Sequence, residues 1–187
     1  AATKGLWWRA VNPRPRRRER MTDPDDAPRP DPIRPTDDAA RALARGLIAS
    51  ARFGALGVID PVTRSPAVTR IALGQGPAGG IWTLVSGLSA HTRALRAEPA
   101  AGLLLGEPGP KGDPLTHPRL SLQVEAVPLP REAAGFAAMR ACWLADHPKS
   151  KLYIDLPDFI FFEFRIRSGA LNGGFGRAFL LSPDDLS

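Results

Sequence analysis

The stretch Trp82-Thr-Leu-Val-Ser86-Gly-Leu-Ser89-Ala-His91-Thr-Arg93-Ala-Leu-Arg96-Ala-Glu98-Pro99 decides how this chain folds. Apolar and β-branched residues from Trp82 to Val85 predict a strand, and Ser86-Gly87 predicts a turn. Ser89 stands where a helix N-cap belongs. The short helix that follows must close before Pro99, because a proline ring disfavours helical backbone in the residue ahead of it. The first turn of such a helix presents N–H groups with no intrahelical acceptor at the positive end of its dipole, a natural seat for a phosphate. Two serines, His91 and Thr92 surround that seat. The preceding segment Pro66-Ala-Val-Thr-Arg70-Ile-Ala-Leu73 reads as a strand whose arginine offers a two-pronged clamp for the same anion.

Outward from this centre the chain alternates short strands with few helices. Phe53–Ile59, Ala67–Leu73, Ile81–Val85 and Ala101–Leu105 read as strands, and a Gly- and Pro-rich loop runs to His117. Arg119–Ala126 alternates strictly, with Leu120, Leu122, Val124 and Ala126 on one face and Arg119, Ser121, Gln123 and Glu125 on the other. Asp158–Ile166 is a strand whose Ile160, Phe162, Phe164 and Ile166 share a side, and Ala178–Leu181 is placed beside it. Helices are expected over Ala39–Ala51, capped by Thr36-Asp37-Asp38 with Ala40, Leu43, Leu47 and Ile48 as its buried stripe, and over Glu132–Asp146, with Phe136, Met139 and Trp143 on one face. Strands joined mainly by tight turns favour an antiparallel barrel over a parallel sheet. No Gly-x-Gly-x-x-Gly follows a first strand, and Gly173-Gly-Phe-Gly176 has neither the lysine nor the spacing of a P-loop.

Charge and composition narrow the function. The apolar share of 43% can fill a core, and the net charge of +6 invites a nucleic-acid reading. Within residues 1–20, however, Lys4, Arg9, Arg14, Arg16, Arg17, Arg18 and Arg20 face Glu19 alone, so the remainder is balanced and makes a poor phosphate-backbone binder. Prolines at 13, 15, 24, 28, 30, 32 and 35 mark residues 1–35 as a disordered leader, with the ordered domain expected over 36–187. Met21 and its polar sequel read as a natural start, which would make residues 1–20 non-native; the other reading is a basic arm touching nucleic acid or anionic lipid. There is no apolar run long enough for a signal peptide or membrane span. A lone cysteine, Cys142, allows no intrachain disulfide, fits a reducing cytoplasm, and sits among apolar neighbours as an inert thiol. His91, His117 and His147 have no metal-ligand spacing.

The order Val68-Thr-Arg70-Ile, then Leu84-Val-Ser86-Gly-Leu-Ser89-Ala-His91-Thr-Arg93, then Glu98-Pro99, resembles the FMN-binding split barrels related to pyridoxamine 5′-phosphate oxidase. Asp113-Pro-Leu-Thr-His117-Pro-Arg119-Leu-Ser-Leu122 and Asn172-Gly-Gly-Phe-Gly176 are similar to the branch associated with haem utilisation. The resemblance runs from about Ala39 to Leu181. It implies a mainly β fold with flanking helices, a six-stranded antiparallel split barrel, forming a homodimer with FMN at the subunit interface. By the same resemblance Arg70, Ser89 and His91 hold the flavin phosphate, the backbone of Val85 and Ser86 lies along the flavin, and Arg119 occupies the place of a glutamine near the ring. Two departures matter: Ala90 stands where the oxidase has an arginine, and His91 where it has a lysine, so the cradle carries less fixed positive charge. Without a counterpart of the oxidase's substrate-binding residues, pyridoxamine phosphate oxidation itself is not expected.

Each site residue also has a structural reading. Arg70 fits an exposed ion pair, Ser89 a simple cap, His91 a solvated surface position, and Arg119 a salt bridge to Glu125 or Asp113. No triad, carboxylate pair or activated cysteine stands out, so any redox chemistry would be the cofactor's. Three functions stay open: a flavoprotein oxidoreductase acting on an unassigned small molecule; a haem-binding or haem-utilisation protein, which would want a histidine near the Gly-Gly-Phe-Gly loop where Arg177-Ala-Phe179 follows instead; and a non-enzymatic module that binds flavin or another phosphate ligand.

Overall fold

Strong alternation in β7 (Arg119–Leu129) builds the centre of the sheet. Leu120, Leu122, Val124 and Ala126 are all buried in the computed structural model, which describes residues 33–187. β7 pairs antiparallel with β6 (Ala100–Leu105) on one side and along its whole length with β8 (Phe159–Asn172) on the other. β6 continues to β2 (Phe53–Ile59), and β2 to β3 (Pro66–Ala72). The first half of β8 carries β5 (Gly79–Ser86) on its far edge. Six strands, in the order β5-β8-β7-β6-β2-β3, therefore form the expected antiparallel circuit.

Three short strands extend it, so among the described residues the sheet counts nine rather than six. β4 (Gly74–Gly76) makes a hairpin with β5, and β9 (Ala178–Leu181) pairs with the second half of β8. β1 (Ile33–Arg34) lies parallel to β9, although the sequence reading assigns both residues to the leader; residues 1–32 of that leader lie outside the described residues. Three of the longer strands outrun their sequence limits. β8 does so because Arg167 is an extra residue in its ladder: Gln123 faces Ser168 while Val124 faces Ile166. A bulge reverses which residues point inward. Phe162 and Phe164 point into the barrel before it, Gly169 and Leu171 after it.

Helix α1 (Asp38–Ser50) starts where the Asp37 carboxylate accepts the Ala40 N–H at 2.7 Å, and buries Ala40, Ala44 and Ile48, with Leu43 and Leu47 only partly covered. α2 (Ala90–Ala97) drives Thr92, Ala94 and Leu95 into the barrel. α3 (Phe136–Asp146) covers the opposite face, where Met139 and Trp143 pack with Leu84, Ile154 and Phe161 in a second core. The Trp143 indole N–H donates to Ser150 Oγ at 3.1 Å, so burying its polar end leaves nothing unpaired. A capping box at Ser182 and Asp185 opens the last helix, α4 (Pro183–Leu186).

Candidate functional site

The barrel is split between β3 and β5. β4 pairs with β5 only as far as Trp82, and beyond it the two sides part. One side-chain bond seals the lower end, from the Thr83 hydroxyl to the Ala72 carbonyl at 2.7 Å. Above it the outer edges of β3 and of β5 through Val85 and Ser86 have no strand partner among the described residues, although the Ser86 carbonyl is taken up by the turn that follows. α2 sits at the mouth. Its N-terminal residues Ala90 and His91 face Val68 and Thr69 of β3 across a cleft of about 210 Å³, closed by Val58 and Asp60 at the end of β2.

Ser86 organises the turn into α2. Its hydroxyl donates to the Asp158 carboxylate at 2.6 Å and accepts the Leu88 N–H at 3.2 Å. Its carbonyl accepts from the buried Thr92 hydroxyl at 2.7 Å and from the Ser89 N–H at 3.1 Å. Gly87 completes the clasp by donating to the Asp158 carbonyl at 2.6 Å. Ser89 occupies the N-cap in extended backbone, yet its side chain makes no cap bond, contrary to the sequence expectation. Ser86 has taken over the turn, and the Ser89 hydroxyl makes no cap bond to the first N–H groups of α2.

His91 is half-buried against the cleft, and this burial pushes its pKa below the ordinary 6.5 and favours the neutral ring. Val85 is buried in the core, so only its backbone edge faces the split. These four residues thus share one neighbourhood. Arg70 and Arg119 are held elsewhere. The Arg70 guanidinium lies over the Phe53 ring at 5.3 Å and reaches Glu107 at 3.9 Å, on the exposed side of β3. Arg119 donates to the Leu115 carbonyl at 2.9 Å, and it is Arg167 that pairs with Glu125. Neither arginine lines the cleft within this chain.

Cations that the sequence reading passed over stand beside the turn. A Cβ at Gly87 would lie 3.8 Å from Arg96 Nη2, which places that guanidinium against the Ser86-Gly87 clasp. Arg93 donates to the Leu88 carbonyl at 2.8 Å. Their spacing of three residues on the helix just after Ser89 is the signal that would have found them. They place positive charge beside the turn that leads into α2. Cys142, the lone thiol, is partly buried and donates to the Gln75 carbonyl, as an inert cysteine would.

No family model and no curated protein matches the chain. Solved structures do. One is 48% identical over 82% of this chain and 98% of its own, with a TM-score of 0.73. A haem-binding protein from Mycobacterium smegmatis is 28% identical over 82% of this chain, TM-score 0.71, and the chain spans 61% of that protein's length. A stress-protein relative of the pyridoxinephosphate oxidase family from Clostridium acetobutylicum, 15% identical over 81% of this chain and 100% of its own, shares the fold at a TM-score of 0.61.

Proposed function

The chain carries the split-barrel fold of the pyridoxamine 5′-phosphate oxidase-related proteins and resembles their haem-utilisation branch, and on that premise we propose that it is an FMN-binding oxidoreductase. The observation that carries this reading is the pairing of an unsealed β3–β5 edge with the uncapped first turn of α2. A phosphate at that turn accepts from the Ser89 hydroxyl and the α2 N–H groups, with His91 as a further donor and Arg93 and Arg96 as flanking charge. The flavin then lies along the free edge at Val85 and Ser86. FMN, when bound, supplies the electron-transfer chemistry; the chain positions it, shields it and sets its electrostatics.

Arg70 and Arg119 enter this reading through a homodimer. Neither lines its own cleft, Arg70 being exposed and Arg119 partly buried, and both are assigned to the interface where two protomers enclose the flavin. The setting is a reducing cytoplasm, consistent with the single thiol; among the described residues no helix is long and apolar enough to cross a membrane. The substrate is a small molecule that reaches the flavin, with no role for nucleic acid or membrane.

Haem is the second reading. The M. smegmatis relative is a haem-binding protein, and His91 is a half-buried imidazole held neutral at the cleft, the form an iron ligand requires. Visible spectra of the purified chain, taken after gel filtration from FMN or from haem, separate the two. Retained flavin bands that vanish in Arg70→Ala support the first reading. A retained haem band lost in His91→Ala supports the second, and a colourless chain with either addition defeats both.

A further inference from the structure

On the face of the sheet that α3 covers, β5 and β8 place Trp82 directly opposite Glu163. Directly opposed residues of an antiparallel pair share a face and lie in side-chain contact range. A groove of about 450 Å³ opens beside them, lined by Trp82, Glu163, Gly79, Gly80, Leu129 and Met139 among others. It shares no lining residue with the cleft at His91.

Glycine shapes this groove. A Cβ at Gly76 would come within 2.3 Å of Trp82 Nε1, so any larger residue there would dislodge the indole. Gly79 and Gly80 have φ of +85° and +78°, the region glycine enters without cost. The indole N–H is already satisfied by the Gly79 carbonyl at 3.3 Å, so what Trp82 has to offer a ligand is its ring face. Glu163 Oε2 accepts from Arg165 Nε at 3.1 Å. A carboxylate has more lone-pair sites than that one bond uses, and Oε1 accepts no hydrogen bond among the described residues.

We propose that this groove binds a small aliphatic ammonium ion, with its charge between the Trp82 face and the Glu163 carboxylate and its chain against Leu129 and Met139. The negative face of an indole and an anionic oxygen both stabilise a cation, while methylene groups gain from the apolar lining. An anion would meet repulsion from both polar elements. A neutral ligand gains only the apolar contact. Arg165 competes for Glu163, but its side chain is 58% exposed and free to give way to a ligand.

The test is a titration of the full chain with n-butylammonium chloride, against n-butanol as its neutral match and sodium chloride as the ionic-strength control. Tryptophan indole N–H cross-peaks report binding, with the Trp82 peak assigned by its loss in Trp82→Phe. The expected result is a saturable shift of the Trp82 peak by butylammonium and about tenfold or weaker binding of butanol. Glu163→Gln, whose backbone spectrum should match the parent, is expected to lower butylammonium affinity severalfold toward that of butanol, the Trp82 face still holding part of the charge. Equal affinity for amine and alcohol, full affinity in Glu163→Gln, or no saturable shift in the parent chain would each overturn the proposal. FMN is absent from every arm, so the outcome does not depend on the flavin reading.

Discussion

The two sides of the barrel are held together by different means. On the closed side β7 and β8 share a ladder from Arg119 to Leu129, interrupted only by the bulge at Arg167, and each inward position is filled by an apolar residue. On the split side β3 and β5 share no ladder among the described residues: the Thr83 hydroxyl alone joins β5 to Ala72 of β3, while the Ser86 and Thr92 hydroxyls tie the end of β5 to Asp158 and to α2. A ladder consumes every backbone group it crosses. Hydroxyl ties fix the end of β5 against its neighbours while leaving strand edges and a helix terminus without ladder partners. Stability and binding are therefore expected to separate by side.

The largest effect is expected on the closed side. Phe162→Ala removes a buried ring from the barrel core and should cost about 3–5 kcal/mol in urea unfolding. If FMN affinity, measured where the variant is still folded, fell as steeply as stability, the division between the sides would fail. Ser86→Ala comes next. It strips the Asp158 carboxylate and the Leu88 N–H of a partner and should cost about 1–3 kcal/mol, together with a loss of FMN binding as the turn loosens. Ser89→Ala sharpens the contrast. With no cap bond to lose, it should change stability by less than about 0.5 kcal/mol, below the usual ~1 kcal/mol for a capping serine, yet weaken FMN. A full capping penalty would show that Ser89, not Ser86, holds the helix start.

The smallest effect concerns pH. Because burial holds His91 below its ordinary pKa of 6.5, the unfolded chain takes up the proton first as the pH falls. The stability contributed by neutral His91 is thus present above pH 6.5 and declines as the pH drops below it, levelling off once the folded ring is protonated too. Urea midpoints at successive pH values should show this decline, and His91→Gln should flatten it. A midpoint that rises on acidification through this range would contradict the burial of the ring.

Local pattern made the closed side legible in the sequence and left the split side half-read. Two-residue alternation marked β7 and the first half of β8, because each inward residue repeats the same burial. It failed past Ile166, where the bulge at Arg167 reverses the phase and the strand ceases to look like one strand. α3 begins at Phe136 rather than Glu132 because residues 132–135 turn, with Gly135 at the N-cap, while Arg131 is drawn away to the carbonyls of Ile154, Leu156 and Phe159. At the site, the anion-friendly composition of the α2 turn was visible from residue types alone. The division of labour within it was not, since Ser86 owes its role to Asp158, a partner 72 positions away. Arg70 was correctly set on a strand, but its direction over Phe53 depends on a cross-strand neighbourhood that a single segment does not reveal.

The central claim is that the split between β3 and β5 ends in a phosphate seat at the start of α2. It is tested most directly by comparing FMN with riboflavin, which has the same ring system and no phosphate, in fluorescence titrations of the full chain. The account predicts that FMN binds at least about a hundredfold more tightly, and that the difference collapses in Ser89→Ala/His91→Ala. Equal affinities for the two flavins in the parent chain would contradict it.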